Sequence, residues 1–549
     1  MNNSVKLHIL SSLEKLYHND KIPNDNFSNF SMLRNEKKSF QLVVESDDTF
    51  NGEITIESSL EYSICSVEYI KSDFPMAKDS DDYFRFSDDG YYPDLLIPIN
   101  DTITFQKGKN IFWIEVISSK KNIGNNDIVI TLTDESHSSV TGHISVEVID
   151  CDLDFNDFIY TNWFHTDCLL SYYNVDVFSD EYWRITKNFL QTAADYGMNC
   201  VLTPLFTPPL DTEIGKERPT VQLVDVTVSN SKYSFNFDKL DYWIKISKEC
   251  GIKYFEMSHL FTQWGAKYSP KIMATVDGEY KRIFGWDTKA TSKEYSNFLK
   301  VFSVELKKYL EKNNLKDYTL IHVSDEPNLS MLFTYSKASK LIHKLFDGYK
   351  IVDALSNPLF YTLKIVTSPI PANDHIEKFL GKCDDLWTYY CSAQNKKFVS
   401  NRFFCNDSLR TRVIGYQMYK FDIKGFLHWG YNFYYTQLSK SIIDPYKVSD
   451  AGGKFPSGDS YVVYPSKDGT PYHSIRLKVF YDALQDMAAL NALEKLTNKQ
   501  TCLDIIEQNG KHSLTFTEYP HKDEWMLSSR EKINYTIKEN LKWDYFLKQ

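Results

Sequence analysis

The chain has 549 residues, of which 42% are hydrophobic and 25% are charged, and this ordinary globular composition excludes a wholly disordered or collagen-like protein. Lysine and arginine number 62 against 73 aspartates and glutamates, so the formal net charge is −11. That acidic balance argues against nucleic acid or an anionic membrane surface as the main partner.

The N-terminal part of the chain is typical of β-strands separated by polar turns. Residues 39–44 are rich in β-formers, and residues 144–148 alternate between apolar and polar side chains. Within residues 111–116, Ile111 and Trp113 would share one strand face while Phe112 and Ile114 share the other. Several short strands with turn signals and little helix predict an antiparallel β-sandwich over residues 1–150.

Helical periodicity begins near Asp150. Tyr182, Ile185 and Phe189 recur at helical spacing, and Gly197 follows as a helix-ending residue. A short apolar run at residues 199–202 then predicts a strand. Helix, glycine and strand therefore form one structural unit.

This unit repeats along the chain up to about residue 490. Helices predicted to end at Gly251, near Leu310, at Gly348 and near Gly381 precede later strands, which we place at residues 252–257, 318–323, 351–352, 386–389 and 425–429, with a last helix over 474–490. Repeated units of this kind predict parallel strands, and their number suits a (β/α)8 TIM-type barrel over residues 151–495. A doubly wound open sheet is the competing fold, but no glycine-rich phosphate loop supports it.

Residues 496–549 are expected to form a short C-terminal extension, with a strand at 513–517 and a helix over 528–541. The nine cysteines are odd in number and include no Cys-x-x-Cys pair, which favours reduced thiols in a reducing compartment. We see no signal peptide and therefore expect a cytoplasmic location. No apolar run approaches the roughly 18 residues of a membrane span, so we expect no membrane insertion.

The strongest chemical motif lies at residues 322–327, where Asp325, Glu326 and Pro327 follow a predicted barrel strand. Active sites of such barrels form at the carboxyl ends of the strands. Two adjacent carboxylates repel each other, so at least one should have a raised pKa, as a general acid requires near neutral pH. The alternative is an ordinary surface turn, because Asp-Glu-Pro is also a common loop composition.

The motif also belongs to an ordered set of segments that resembles the catalytic domain of glycoside hydrolase family 123. The segments are 164–168 (FHTDC), 258–266 (SHLFTQWGA), 270–274 (PKIMA), 284–287 (FGWD), 324–327 (SDEP), 426–432 (FLHWGYN), 458–460 (GDS), 464–465 (YP) and 474–476 (SIR). Residues 90–95 (GYYPDL) resemble the sandwich domain of that family. The resemblance covers nearly the whole chain in order.

The resemblance implies a β-N-acetylgalactosaminidase-like enzyme that uses a retaining, substrate-assisted mechanism. In that mechanism the acetamide of the substrate replaces an enzyme nucleophile and forms an oxazolinium intermediate. Glu326 is then the general acid and later the base, while Asp325 orients the acetamide and stabilises the positive charge. The expected partner is an oligosaccharide or glycoconjugate, with no cofactor or metal. The oligomeric state stays open.

Eight further residues are candidate substrate ligands because they lie at or beyond predicted strand ends. The aromatic candidates, whose faces suit sugar C–H surfaces, are Trp387, Tyr389, Tyr390 and Trp429. The polar candidates are His165, Asp167, His259 and Asp459. Each has a structural alternative, since buried aromatic rings and satisfied polar groups are common in barrel cores. Of Trp264, Lys267 and Trp286, the sequence does not say which reaches the substrate.

Two other functions remain open at this stage. The chain is alternatively a carbohydrate-binding protein on an inactive glycosidase scaffold, because fold does not guarantee function. A third hypothesis is a glycosidase for sugars that lack the acetamide. Such an enzyme needs a second carboxylate as nucleophile or base.

Overall fold

The computed structural model describes residues 5–24, 27–99 and 102–547. Residues 1–4 of the predicted β-sandwich and residues 548–549 of the predicted C-terminal extension lie outside this description. Among the described residues the N-terminal strands are β1 (Val5–Ser11), β2 (Asn29–Arg34), β3 (Lys37–Ser46), β4 (Phe50–Ser58), β5 (Glu61–Ser72), β6 (Gly90–Pro98), β7 (Ile103–Phe105), β8 (Gly108–Ile117), β9 (Gly124–Asp134) and β10 (Ser139–Asp152).

These strands form two sheets that pack face to face. One has the order β1-β3-β8-β5-β6, and the other has the order β2-β10-β9-β4-β7. All of their neighbours are antiparallel except β2 and β10. As the alternation predicts, Phe112 and Ile114 of β8 enter the core between the sheets, while Ile111 and Trp113 face a separate apolar cluster on the other side.

The rest of the chain alternates between strands and helices. In chain order the elements are β11 (Ile159–Asn162), α1 (Thr166–Tyr173), α2 (Asp180–Asp195), β12 (Cys200–Thr203), β13 (Asp225–Ser229), β14 (Lys232–Asn236), α3 (Asp238–Glu249), β15 (Tyr254–Met257), β16 (Ile272–Val276), β17 (Glu279–Phe284), α4 (Lys293–Lys312), β18 (Thr319–His322), α5 (Leu332–Leu345), β19 (Lys350–Ala354), α6 (Leu359–Thr362), β20 (Ser368–Ile370), β21 (Trp387–Tyr389), α7 (Ser408–Arg412), α8 (Ile414–Lys420), β22 (Gly425–His428), β23 (Val463–Pro465), β24 (Pro471–Ser474), α9 (Ile475–Leu496), α10 (Lys499–Ile506) and α11 (Asp523–Leu547).

Eight of these strands form an all-parallel sheet in the order β20-β19-β18-β15-β12-β11-β22-β21. The two edge strands meet through a parallel bridge between Ala372 and Tyr389, where the Asn373 N–H donates to the Tyr389 carbonyl over 2.9 Å. The sheet is therefore a nearly closed barrel. Each of its strands lies beside the barrel strand that comes before or after it in the chain. A four-stranded sheet of β13, β14, β16 and β17 is built into the loops after β12 and β15.

The predicted helix ends are confirmed where glycine follows the helix. Gly197 and Gly251 have φ values of 88° and 98°, a left-handed conformation that costs glycine little. At its start, α2 is capped by the Ser179 hydroxyl, which accepts a hydrogen bond from the Tyr182 N–H.

Three local predictions differ from the structure. The expected helix ending near Gly381 is only a 3-10 turn at Ile376–Lys378, and the strand β20 before it was not predicted. No strand forms at residues 513–517, whereas the C-terminal helix is longer than expected at Asp523–Leu547. The domain boundaries at residues 150 and 495 stay predictions. The later strands β23 and β24 join the N-terminal sheet beside β6.

Among the described residues, no helix combines the length and apolar character that a membrane crossing requires.

Candidate active site

A cavity of about 150 Å³ lies at the carboxyl end of the barrel, and we call it the inner cavity. Every barrel strand except β20 contributes a lining residue, either from its end or from the loop that follows it. A larger cleft of about 730 Å³ lies at the opposite end, where Phe158 and Lys424 precede their strands. Barrel enzymes place their chemistry at the carboxyl end, so the inner cavity is the candidate active site.

Asp325 and Glu326 follow β18 and both line the inner cavity. The Asp325 side chain is half-buried, whereas Glu326 keeps access to solvent. Glu326 has a φ of 41°, which is uncommon for a residue other than glycine. The Trp264 N–H donates to the Asp325 carbonyl over 3.1 Å, so the loop after β15 holds this turn in place.

The cavity raises the pKa of both carboxyl groups above their ordinary values. For Asp325 the main cause is burial, followed by the charge of the adjacent Glu326. For Glu326 the cause is loss of hydration among densely packed protein atoms, opposed by the Tyr389 hydroxyl, which donates to Oε1 over 2.6 Å. The pair therefore holds a proton at a pH where a solvated carboxyl group is already ionised.

A buried ionic network lies beneath this pair. His322 is held between Glu256 and Asp353, with Nε2 2.5 Å from Oε1 of Glu256 and Nδ1 3.2 Å from Oδ1 of Asp353. Burial lowers the pKa of His322, but attraction to Glu256 and the two carboxylate hydrogen bonds raise it overall to about 10. Asp353 also accepts from the Ser324 N–H over 3.3 Å, which ties the network to the turn that carries Asp325.

Aromatic side chains form much of the cavity wall. They are Trp163, Trp264, Tyr389, Trp429 and Phe455. Two of these contact each other, since Phe455 packs edge-on against Trp429 with ring centroids 5.2 Å apart. Flat apolar walls with a few polar groups are typical of sugar-binding pockets.

His165 lines the inner cavity in a fixed orientation. Its Nε2 lies 2.8 Å from the Trp429 carbonyl oxygen and its Nδ1 lies 3.1 Å from Nη2 of Arg218. Burial lowers the pKa of His165 to about 3, so the ring is neutral and Nε2 is the donor. Asp167 is not in the lining; it binds Arg218 through two hydrogen bonds of 2.6 and 2.7 Å and so positions the residue that holds His165.

Three other candidate ligands are buried behind the cavity wall rather than in the lining. The His259 ring lies between Trp163 and His322, with centroids 5.2 and 4.4 Å away. Trp387 and Tyr390 are almost wholly buried in the barrel. Trp387 and Tyr390 belong to apolar clusters of the barrel, and a direct substrate contact by any of the three stays a prediction.

Asp459 is also buried and does not line the inner cavity. Its Oδ2 accepts a hydrogen bond of 2.9 Å from the Trp429 indole. Burial raises the pKa of Asp459 to about 7. Asp459 thereby orients a cavity-wall tryptophan, and its expected contact with a sugar hydroxyl stays a prediction.

Sequence reasoning missed a polar wall formed by Asp211 and Gln263, and it left Trp264 undecided. All three line the inner cavity. Burial raises the pKa of Asp211 to about 6, and Oε1 of Gln263 accepts from the Asp211 N–H over 2.5 Å. The buried Nε2 of Gln263 has no hydrogen-bond partner among the described residues, so it is available to a ligand. The length of the loop after β15 is the signal that could have found Gln263, whereas no motif marked Asp211.

The described residues contain no cluster of three or more His, Cys, Asp and Glu side chains able to hold a metal ion.

Comparison with known proteins identifies relatives of this site and fold. A family model described as "Glycoside hydrolase 123, catalytic domain" matches residues 163–493. The fold is similar to that of a family 123 glycoside hydrolase from Clostridium perfringens, with a TM-score of 0.75, 15% identity and coverage of 100% of both chains. A putative glycoside hydrolase from Bacteroides vulgatus matches at 11% identity over 81% of this chain and 77% of its own, but its TM-score of 0.29 supports no argument. A search of curated proteins found no match.

Proposed function

Since the chain belongs to glycoside hydrolase family 123 and is a glycoside hydrolase, we propose that it removes a terminal β-linked N-acetylhexosamine, with N-acetylgalactosamine favoured. The substrate would be an oligosaccharide or glycoconjugate, and the mechanism retaining and substrate-assisted. The observation that carries the proposal is that Asp325 and Glu326 line one cavity at the carboxyl end of the barrel. The Clostridium perfringens enzyme is described in terms of glycolipid glycan hydrolysis, which supports a glycoconjugate substrate.

In this proposal Glu326 supplies and later removes the proton. Its raised pKa favours the protonated form of the carboxyl group, as a general acid requires. Tyr389 binds Oε1, which leaves Oε2 to face the glycosidic oxygen. As the C1–O bond breaks, the proton passes to the leaving oxygen; the Glu326 carboxylate then takes a proton from the attacking water.

Asp325 would act on the acetamide. Among the described residues its side-chain oxygens have no hydrogen-bond donor, so they are free to accept the acetamide N–H. This contact favours the ionised form of Asp325 and shifts the shared proton towards Glu326. It also directs the acetamide oxygen to C1, where the new C–O bond closes the oxazolinium ring, and the carboxylate stabilises its positive charge.

The first test uses an aryl N-acetyl-β-galactosaminide with the wild-type enzyme and two variants. We expect Glu326→Gln to lower turnover by about 10²–10⁴-fold, because the proton donor is lost. We expect Asp325→Asn to lower it by about 10²–10³-fold, because stabilisation of the developing charge is lost. The measurement is kcat from release of the aryl alcohol.

Asp317→Asn is the matched control, because this carboxyl group is exposed at the amino end of β18, far from the cavity. Its turnover should equal that of the wild type. Full turnover in Glu326→Gln or Asp325→Asn would contradict the role given to that residue. If the wild-type protein binds the glycoside without releasing the aryl group, the chain is a carbohydrate-binding protein instead.

A second candidate function is a glycosidase for sugars without an acetamide. It is favoured by one observation, namely that Asp211 is a further carboxyl group in the inner cavity. A thiazoline that mimics the bicyclic intermediate separates the two functions, because only acetamide-assisted catalysis should be strongly inhibited. Weak inhibition, together with loss of turnover in Asp211→Asn, would favour the second function.

A further inference from the structure

His322 is the last residue of β18 and is almost wholly buried beneath the acidic pair. Both of its ring nitrogens face a carboxylate oxygen, Nε2 that of Glu256 at 2.5 Å and Nδ1 that of Asp353 at 3.2 Å. A neutral imidazole has only one N–H and would turn a lone pair towards one of these oxygens. The geometry therefore calls for an imidazolium that donates from both nitrogens.

Each carboxylate bound by His322 also holds part of the inner cavity. Oε1 of Glu256 accepts from the indole of Trp163, a cavity-wall residue, over 2.8 Å. Oδ1 of Asp353 accepts from the backbone N–H groups of residues 323 and 324, each over 3.3 Å and just before the acidic pair. His322 thereby joins one wall of the cavity to the turn that carries the catalytic carboxyl groups.

The imidazolium also balances charge close to Asp325. Burial and the adjacent Glu326 raise the pKa of Asp325, as do the buried carboxylates of Asp353 and Glu256, whereas the His322 cation lowers it. With the imidazolium in place, the charge of one of the two buried carboxylates is neutralised. Without it, both would oppose the ionisation of Asp325.

The other titratable groups packed against this network are uncharged. The His259 ring, from the loop after β15, lies 4.4 Å from the His322 ring between centroids, and burial lowers its pKa well below the ordinary value. From α5, the Tyr335 hydroxyl donates to Asp353, and burial raises the pKa of that hydroxyl. Burial likewise raises the pKa of the Cys200 thiol on β12. Within the described part of the chain, the imidazolium is therefore the one cation paired with the two carboxylates.

We propose that His322 is a positioning residue of the reaction, a buried cation that keeps Asp325 ionised to hold the acetamide while Glu326 keeps the proton. The inference rests on the proposed function and deepens it, because it explains how two adjacent carboxyl groups take different protonation states. His322 contacts no substrate in this role and acts through Asp325 and through the turn that Asp353 holds.

The first test measures the charge of His322 without any substrate. In protein labelled with ¹⁵N in its histidine rings, NMR distinguishes an imidazolium, with a proton on both nitrogens, from a neutral ring. We expect one imidazolium to persist at about pH 8, where a histidine of ordinary pKa is neutral, because the pKa of His322 is raised to about 10. Its signals should disappear in His322→Gln. A neutral His322 near neutral pH would overturn the inference, and this readout needs no active variant.

The second test uses the pH dependence of kcat/KM for the aryl N-acetyl-β-galactosaminide. The acidic limb of this profile reports the first ionisation of the Asp325–Glu326 pair. In His322→Gln the cation is lost and the pKa of Asp325 rises, so the acidic limb should move to higher pH by about one unit. A purely structural role would lower kcat/KM at every pH and leave the limb in place, and that result would overturn the inference.

A charge-matched double variant separates the effect of charge from that of packing. Glu256→Gln combined with His322→Gln removes one buried charge of each sign, so the acidic limb should return to within about half a pH unit of the wild-type position. A limb that stays displaced would count against the charge effect and overturn the inference.

His343→Gln is the control, because this ring lies on α5 and does not line the inner cavity. Its profile should match that of the wild type, and an equal shift there would also contradict a specific role for His322. If the wild type releases no aryl group, the proposed function fails and the inference falls with it. A neutral His322, or an unmoved limb in an active enzyme, overturns the inference alone.

Discussion

Glu326 is held by its own backbone turn and by contacts from two other parts of the barrel. Its left-handed φ of 41° comes directly before Pro327, a strained conformation that costs on the order of 1–3 kcal/mol. Tyr389, at the end of β21, binds Oε1, and the Trp264 N–H fixes the preceding carbonyl. Backbone strain and these hydrogen bonds together fix the carboxyl group in the inner cavity.

The Tyr389 hydroxyl should also set the pH range of the reaction. Its hydrogen bond lowers the pKa of Glu326, so Tyr389→Phe should raise that pKa further. A general acid acts while protonated, and the alkaline limb of kcat/KM reports loss of its proton. We therefore expect this limb to move to higher pH in Tyr389→Phe, as measured in a pH–rate profile.

Tyr390→Phe provides the matched control for this shift. The Tyr390 hydroxyl is buried, has no hydrogen-bond partner among the described residues and does not line the cavity. Its removal should leave the alkaline limb where it is. If Tyr389→Phe moved the limb to lower pH, the hydrogen bond would have to favour the protonated form of Glu326 instead.

At the scale of elements, α8 and α9 approach each other through Gly415. A Cβ built on Gly415 would lie 2.0 Å from the Ala483 carbonyl oxygen, a clash with backbone rather than with a flexible side chain. Alanine normally favours a helix over glycine by about 1 kcal/mol. Here we expect alanine to be destabilising instead, because the helices approach closely and neither backbone can move without disturbing the packing around it.

We expect Gly415→Ala to lower the free energy of unfolding by about 1–3 kcal/mol, the usual cost of overpacking. Denaturant unfolding monitored by circular dichroism measures the change. Gly90→Ala is the control, since a Cβ there would meet its nearest atom at 3.6 Å, an ordinary contact. Stabilisation by Gly415→Ala would show that the two helices separate at little cost.

Local sequence patterns predicted part of the strands and helices, for identifiable reasons. Helices followed by Gly197 and Gly251 are recognisable because glycine is the residue that adopts a left-handed φ at low cost. The three-residue strand β20 contains Pro369 and has too few residues for any periodicity. It is a strand because β19 pairs with it, an interaction between distant parts of the chain.

At the scale of the whole molecule, a buried ion pair joins the N-terminal sheet to the barrel. Arg476 at the start of α9 makes two hydrogen bonds of 2.8 Å to Asp94 of β6. The same carboxylate accepts a hydrogen bond of 2.5 Å from the Tyr464 hydroxyl. Because β23 and β24 extend the same sheet, this contact lies at the junction of the two parts.

Arg476→Met should lower the free energy of unfolding by about 3–5 kcal/mol, because it leaves the Asp94 carboxylate buried without its cation. Thermal or denaturant unfolding measures this loss. Arg184→Met removes an exposed ion pair with Glu181 and should cost less than about 1 kcal/mol. Equal effects of the two substitutions would contradict a dominant role for the buried pair.

The sequence alone determined the change from strand-rich to alternating helix and strand segments, the sandwich faces of β8 and the position of Asp325 and Glu326 after a strand. These features depend on short-range periodicity, turn chemistry and strand ends, all of which a local segment encodes. Tertiary structure alone decided that Asp211 and Gln263 share a wall, that Asp459 holds Trp429 from behind, and that Tyr389 binds Glu326. The reason is physical: loops from distant strands converge only after the barrel closes, and their contacts there, not their own residue patterns, determine which side chains face the pocket.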